Sequence, residues 1–104
     1  MIRILRQCKK EIEEFPESIR GYIADLAARL DAGHKLSMPL SRPMPSIGRG
    51  VHELRFRERS GVYRVIYALI SSGVVWFIHG FQKKGEKTPR ENIEVAKRRL
   101  REIL

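Results

Sequence analysis

Residues 52–67 read HELRFRERSGVYRVIY, and this stretch decides the fold. Polar and apolar side chains alternate on either side of Arg59-Ser60-Gly61, which is the pattern of two β-strands joined by a tight turn. Residues 74–81, VVWFIHGF, add a third run of β-branched and aromatic side chains after Ser71-Ser72-Gly73. The sequence therefore predicts a three-strand antiparallel meander in the second half of the chain.

The residues before the meander predict a pair of helices. Apolar side chains recur there at helical spacing, at Ile4, Cys8, Ile12 and Phe15 and again at Ile19, Ile23, Leu26 and Leu30. Pro16 suits the first turn of the second helix, and Gly33 suits its left-handed end. The break between the helices is expected at residues 15–17. Residues 2–5 fit either a strand or the first helix, and we favour a short strand.

Two further segments flank the meander. Residues 34–50 hold three of the five prolines and show no period, so they are predicted to form a surface loop. After the meander, Thr88 as N-cap, Pro89 at the first helical position and Glu91 as the partner of a capping box predict a final helix. Its apolar stripe is expected at Ile93, Ala96, Leu100 and Ile103.

Together these elements predict an α+β fold, in which an N-terminal helical hairpin packs on a small twisted antiparallel sheet and a C-terminal helix follows. A chain of 104 residues fits one domain, residues 1–104. No apolar run approaches the roughly 20 residues that span a bilayer, and the opening MIRILRQCKK is charged too early for a signal peptide. We therefore expect a cytoplasmic protein without a membrane partner. The single cysteine, Cys8, excludes an internal disulfide and offers no zinc spacing, so no metal or cofactor is expected.

The charge of the chain indicates a polyanionic partner. It has 21 Lys and Arg against 12 Asp and Glu, a formal net charge of +9 and a pI near 10.3. The excess is concentrated in residues 55–104, which carry twelve basic and five acidic side chains, against nine and seven in residues 1–54. Nucleic acid is the leading ligand class, but a basic chain can also be merely soluble. The positions of the charges must decide between these readings.

The register of the first hairpin decides which arginines share a face of the sheet. A turn with an even number of residues, such as Ser60-Gly61, places Arg57 opposite Arg64 and keeps Arg55 on the same face. The other face then carries an apolar set that makes a plausible core: Leu54, Phe56, Tyr63, Val65 and Tyr67. An odd turn would put arginines into both faces, and burying guanidinium groups costs free energy. The even register is therefore the prediction.

The same even parity across Ser72-Gly73 predicts which side chains of the third strand join the arginine face: Phe77, His79 and Phe81. Val74, Trp76 and Ile78 would then lie in the core.

Three arginines on one patch repel one another unless an anion lies between them, and guanidinium groups bind phosphate bidentately. Lys83 and Lys84 follow the third strand and would extend this groove. Phe77 and Phe81 would stack on unpaired RNA bases. In the alternative reading, the arginines form ion pairs with Glu53 and Glu58 and the phenylalanines belong to the core.

The chain resembles the RelE/ParE toxin superfamily, specifically its phage-related HigB-like branch. Three segments carry the resemblance: HELRFRERSGVYRVIY (52–67), FIHGFQKK (77–84) and KTP (87–89). The resemblance covers most of the chain and is strongest in the second half. It implies a helical hairpin on a twisted sheet, and a toxin of a type II toxin–antitoxin system that cleaves mRNA on the ribosome. In such endoribonucleases the RNA's own 2′-hydroxyl attacks the adjacent phosphate without a metal. The implied partners are mRNA, the ribosome and a cognate antitoxin, often of the helix-turn-helix type.

Carried over by position, the resemblance assigns the phosphate site to cations of the meander. Arg55 and Arg64 would stabilise the charge of the phosphorane. Lys83 or Lys84 corresponds to basic residues that follow the last strand in the family. Lys87, like Arg57, is a further candidate for contact with RNA.

The acid and base of this reaction are less well specified by the resemblance. Some relatives place a tyrosine in or near the last helix, but this sequence has no tyrosine after Tyr67. His79, whose ordinary pKa is close to neutrality, and Lys83 or Lys84 are the remaining candidates for proton transfer. For His79 a structural role at a strand end is an equal alternative.

Two other functions stay open at the level of sequence. The same superfamily contains proteins that inhibit DNA gyrase by binding it, and a scaffold alone does not exclude this activity. The clustered cations favour the nuclease. A non-catalytic nucleic-acid-binding protein is the third reading, and it predicts salt-sensitive binding without cleavage.

Overall fold

The structure, a computed structural model, describes residues 1–70, 73–85 and 88–104. The elements along the chain are β1 (Ile2–Ile4), α1 (Arg6–Glu13), α2 (Glu17–Asp31), β2 (Ser41–Pro43), β3 (Val51–Glu58), β4 (Gly61–Ile70), β5 (Val74–Lys83) and α3 (Arg90–Ile103). The five strands form one sheet in the order β1-β5-β4-β3-β2. Within the described ranges, no helix is both long and apolar enough to cross a membrane.

The predicted fold class is confirmed, with one correction to the sheet. The meander β3-β4-β5 is antiparallel as expected, and the favoured N-terminal strand is present as β1. However, β1 pairs with β5 in parallel, with Ile2 opposite Val75 and Ile4 opposite Phe77, so the sheet is mixed. Parallel pairing requires a long connection, and the whole chain from α1 to β4 separates these two strands.

The helical hairpin forms where the apolar spacing predicts it. The break is confirmed, but Pro16 is the N-cap of α2 rather than a residue of its first turn. Gly33, with φ +89°, ends the helix in the left-handed conformation. Its N–H donates to Leu30 O and the N–H of His34 donates to Arg29 O, which satisfies two carbonyls at the helix end.

The prediction of a loop throughout residues 34–50 is wrong at β2. Ser41 pairs with Leu54 of β3, and its buried hydroxyl lies 2.6 Å from the hydroxyl of Tyr67. Pro43 is tolerated because β2 is an edge strand, where a missing N–H costs no ladder bond. A strand of three residues is too short to show an alternating pattern, which is why the sequence did not reveal it.

The first hairpin has the predicted parity but a shifted register. Arg64 lies opposite Arg55, and not opposite Arg57, which pairs with Val62. The turn is therefore Arg59-Ser60, two residues long like the predicted one. Because a shift of two residues leaves every side chain on its face, Arg55, Arg57 and Arg64 share a face as predicted.

The second hairpin departs from the prediction because of a β-bulge. The predicted parity holds beyond the bulge, where Arg64 lies opposite Phe81 and Ile66 opposite His79. Between Ile66 and Tyr67 the register shifts by one, so Tyr67 lies opposite Phe77. The predicted turn included Ser72, which lies outside the described residues.

Both faces of the sheet are covered, so the fold has two cores. The first lies between the sheet and the helical hairpin, and it includes the whole predicted set of Leu54, Phe56, Tyr63, Val65 and Tyr67. The second lies between α3 and the end of the arginine face, and its buried members include Val51, Ile66, Ile78, Ala96 and Leu100. The arginine face is thus open only where α3 does not reach.

The start of α3 differs from the predicted capping box. Pro89 is the N-cap, the helix begins at Arg90, and the cap makes no side-chain hydrogen bond. The Thr88 hydroxyl instead donates to Glu53 Oε2 at 2.8 Å. A buried carboxylate is a stronger acceptor than a backbone group, so Thr88 ties the start of α3 to the sheet.

Candidate nucleic-acid interface

Three cross-strand rows make up the arginine face of the meander around the candidate site. Arg55, Arg64 and Phe81 form the middle row, with Arg57, Val62 and Lys83 on one side and Glu53, Ile66 and His79 on the other. Directly opposed side chains on one face of a sheet are near neighbours. We call Arg55, Arg57, Arg64 and Lys83 the cation cluster.

Arg64 lies at the centre of the cation cluster and is only 4% exposed. Its Nε lies 3.3 Å from Glu53 Oε1, and its Nη1 donates to Tyr63 O at 3.2 Å. Burial lowers the pKa of this guanidinium, and Arg55 and Arg57 lower it further, while Glu53 opposes the shift. A second negative charge beside Arg64 would therefore be favourable.

An unsatisfied donor of Arg55 indicates where that charge would bind. Arg55 Nε and Arg64 Nε are both buried and make no well-aligned hydrogen bond within the described part of the chain, but Arg64 Nε faces the Glu53 carboxylate at 3.3 Å and is therefore paired by charge. Arg55 Nη1 donates to the weakly accepting Met38 Sδ, at 3.5 Å. Buried polar atoms are nearly always paired, so the Arg55 Nε donor indicates a missing acceptor beside Arg64. An open cavity of about 310 Å³ lies against these two arginines, lined by Pro39, Leu40, Arg55, Phe56, Arg57 and Arg64.

The two lysines predicted to follow the third strand lie in different surroundings, and only Lys84 lies beyond it. Lys83 is the last residue of β5, is 7% exposed and shares a row with Arg57. Burial lowers the pKa of its ammonium group, as do Arg64, Arg55 and Arg42, whereas Glu53 raises it. Lys84 is exposed beyond the strand end. Lys87, the third predicted basic residue here, lies outside the described residues.

His79 lies on the same face as the cation cluster, but its side chain takes part in a separate hydrogen-bond network. Its Nε2–H donates to Asn92 Oδ1 at 2.7 Å, and its Nδ1 lies 3.2 Å from Glu11 Oε1 and 3.1 Å from Arg99 Nη1. The ring is 5% exposed and stacks on Phe81. Both nitrogens are engaged in bonds between α1, β5 and α3, so the geometry favours the structural reading of His79 over proton transfer.

The predicted stacking platform is not available in this structure. Phe77 is fully buried in the core beneath the helical hairpin, on the face opposite to the cation cluster, because the bulge reverses its direction. Phe81 is on the correct face, but it is 8% exposed and packs in the second core. The alternative reading is correct in part: both phenylalanines are in the core and Arg64 pairs with Glu53, whereas Glu58 bonds to Ser18 and Ser60 instead of to an arginine.

Three polar residues of this region were missed or underrated by sequence reasoning. Arg42, in β2, pairs with Glu53 across the strands, but the Pro-rich segment around it shows no period. Thr88 was expected to cap a helix. Glu53 was considered only as an ion-pair partner, although the alternation of β3 places it on the arginine face.

The described residues contain no group of three or more His, Cys, Asp or Glu side chains that could hold a metal ion. Cys8 is a buried free thiol, and burial raises its pKa to about 12, so it is not a ready nucleophile. What the face offers is a set of closely spaced cations around an open cavity, which suits the binding of a phosphodiester.

Comparison with known proteins identifies the family. Residues 10–101 match the family described as "Phage derived protein Gp49-like (DUF891)". The chain belongs to the Gp49-like family. No curated protein matches this Gp49-like chain.

Solved structures support the fold. One match is a chain in the crystal structure of the toxin–antitoxin complex RelBE2 from Mycobacterium tuberculosis, with a TM-score of 0.54 and 13% sequence identity. The match covers 80% of the Gp49-like chain and 96% of the other chain. This structural likeness confirms the predicted fold.

Proposed function

We propose that this Gp49-like protein is the toxin of a toxin–antitoxin system and that it cleaves mRNA on the ribosome. The observation that carries the proposal is the cation cluster, in which Arg55, Arg57 and Arg64 line one open cavity and the buried Arg55 Nε has no hydrogen-bond acceptor within the described residues. A protein that only binds another protein does not need cations to converge in this way. The HigB-like type of activity remains part of this proposal.

The reaction that suits the cluster is transesterification within the RNA. The 2′-oxygen forms a bond to the adjacent phosphorus, and the bond from phosphorus to the 5′-oxygen breaks. The products are a 2′,3′-cyclic phosphate and a 5′-hydroxyl. A proton leaves the 2′-hydroxyl and another reaches the leaving 5′-oxygen, so atoms and charge balance without a metal.

The cations would act on the phosphorane, in which negative charge accumulates on the non-bridging oxygens. Arg55 and Arg64 would donate to these oxygens from fixed positions, and such preorganised donors are a large source of rate enhancement. Lys83 would deliver the proton to the 5′-oxygen, because burial and the neighbouring arginines lower its pKa toward the range useful for an acid. Arg57 and the exposed Lys84 would bind neighbouring phosphates, as would Lys87.

The partners follow from the same proposal. The structural relative was solved as a toxin–antitoxin complex, and a cognate antitoxin of the helix-turn-helix type would neutralise this chain. The substrate would be mRNA in the decoding site, which puts the activity in the cytoplasm.

The experiment adds purified protein to ribosomes programmed with a defined mRNA and maps new 5′ ends. Lys83→Ala and Lys84→Ala form a matched pair, since each removes one lysine charge but only Lys83 lies in the cation cluster. We expect codon-phased cuts that require the ribosome, are nearly abolished by Lys83→Ala and are only weakened by Lys84→Ala. Intact mRNA with folded protein would contradict the nuclease proposal, and inhibition of DNA gyrase would then be the activity to assay.

A further inference from the structure

Glu53 is a buried carboxylate set among cations. It is 1% exposed on β3, next to the row of Arg55 and Arg64. Its Oε1 lies 3.3 Å from Arg64 Nε and its Oε2 accepts the Thr88 hydroxyl at 2.8 Å. Both carboxylate oxygens are therefore held by neighbouring side chains, so the carboxylate has little freedom to rotate.

The charge of Glu53 is costly for a site that binds phosphate. It repels an incoming anion, and a buried ion pair often stabilises a fold no better than apolar residues of similar volume would. Its presence beneath the cation cluster therefore calls for a role other than affinity or simple stability. The contacts indicate that role, because Glu53 is the anion beside Arg64 Nε and Arg64 also lines the open cavity.

Thr88 adds a connection to the last helix. It directly precedes the Pro89 cap of α3, and its hydroxyl reaches across to β3. The Thr88 bond fixes Glu53 Oε2, and Glu53 Oε1 in turn faces Arg64. The start of α3 and the phosphate site are thus joined through one carboxylate.

We propose that Glu53 is a positioning residue that orients the Arg64 guanidinium toward the reacting phosphate, and that Thr88 holds Glu53 in place. This arrangement increases the rate of cleavage and lowers the affinity for RNA. This inference rests on the proposed nuclease function. It predicts a specific separation of kinetic constants: loss of the Glu53 charge lowers kcat but does not raise KM.

The kinetic test uses Glu53→Gln and Thr88→Val in the ribosome-dependent cleavage assay. Gln keeps the size of Glu and an oxygen that accepts from Thr88, but it lacks the charge. We expect kcat to fall about tenfold or more, since small misplacement of a catalytic group is costly, with KM unchanged or lower. Thr88→Val should show the same pattern more weakly, and Thr88→Ser should restore the wild-type rate.

The control is Glu58→Gln on the same strand. Glu58 lies on the other face and bonds to Ser18 and Ser60, so its loss should leave both constants unchanged. Wild-type kcat in Glu53→Gln, or a loss of rate matched by a rise in KM, would overturn the proposal. If Glu53→Gln does not fold, Thr88→Val decides, because it removes no buried charge.

A measurement without cleavage separates this inference from the nuclease proposal. The Arg64 Nε–H signal in ¹⁵N NMR spectra reports the orientation and exchange of the guanidinium, with an uncleavable 2′-deoxy oligonucleotide as the probe. We expect Glu53→Gln and Thr88→Val to shift and broaden this signal and to bind the probe as tightly as wild type or more tightly. An unchanged signal in both variants would overturn the positioning role, whether or not the wild-type protein cuts mRNA.

Discussion

The network around Glu11 gives a quantitative prediction about stability. Glu11 Oε1 accepts from Arg99 Nη1 at 2.7 Å and from the Gly80 N–H at 3.0 Å, Oε2 accepts from Arg99 Nη2 at 3.0 Å, and His79 lies beside Oε1. Burial of this carboxyl raises its pKa, but the bonds to His79, Arg99 and Gly80 outweigh burial and lower the pKa from 4.5 to about 2. Glu11→Gln removes the charge that these donors share.

The size of the effect follows from the pKa. Because the folded-state value lies below 4.5, the ionised carboxylate stabilises the fold fully above about pH 4.5, and the contribution is lost as the pH falls through about 2. The difference between 4.5 and about 2 corresponds to about 3 kcal/mol of unfolding free energy. The Glu11 side chain is 27% exposed, so solvent screens this interaction only in part.

Urea unfolding of wild type and Glu11→Gln, from neutral pH down to about pH 2, measures this contribution. Wild type should be more stable by about 3 kcal/mol at neutral pH, and the difference should shrink steadily below about pH 4.5. Glu13→Gln, an exposed change on the same helix, is the control and should stay within about 0.5 kcal/mol of wild type throughout. A Glu11→Gln difference that does not vary with pH would refute the reasoning.

Two further predictions concern the core and the helix end. Phe77→Ala should lower the unfolding free energy by about 3–5 kcal/mol in urea titrations, because Phe77 is fully buried under the hairpin, and a cost near zero would mean that it faces the RNA site. Gly33→Ala should cost about 1 kcal/mol by the same measurement, because φ is +89° there and an added Cβ would crowd the local backbone, while no other residue lies within 4 Å of it; a neutral result would contradict the left-handed helix end.

The shared face of the three arginines could be predicted, because it depends only on whether the turn has an even or an odd number of residues. A two-residue turn puts Arg55, Arg57 and Arg64 on one face whichever pair of residues forms it, and the cost of burying guanidinium groups selects that parity. The register error of two residues therefore left the face assignment correct. Lys83 followed from its place at the end of the third strand.

The surroundings of Phe77 and His79 could not be predicted, because they depend on features that leave no periodic signal in the sequence. The bulge between Ile66 and Tyr67 reverses the face of Phe77, and nothing in the run VVWFIHGF marks it. His79 looked available because the partners that bury it, Glu11 and Arg99, are distant in sequence. Long-range side-chain bonds of this kind arise from how helices dock, and local patterns do not encode them.

The roles of α3 and β2 were also underestimated for a physical reason. Both faces of β5 are apolar, so the sequence did not show that α3 covers part of the arginine face. The result is a smaller open surface than the strand pattern suggests, limited to the rows around Arg55 and Arg64. Arg42 on β2 adds a cation at its margin.

In the proposed mechanism, phosphate binds at the cation cluster and is not merely attracted by the net positive charge of the protein. The most direct test compares Arg64→Gln with Arg98→Gln, which remove the same charge from the buried cluster and from the exposed face of α3. In single-turnover cleavage of mRNA on the ribosome, with folding checked by thermal unfolding, Arg64→Gln should lose about 100-fold in rate. Arg98→Gln should stay within about twofold of wild type. Equal losses in the two variants would contradict the account, because general charge rather than a built phosphate site would then drive the activity.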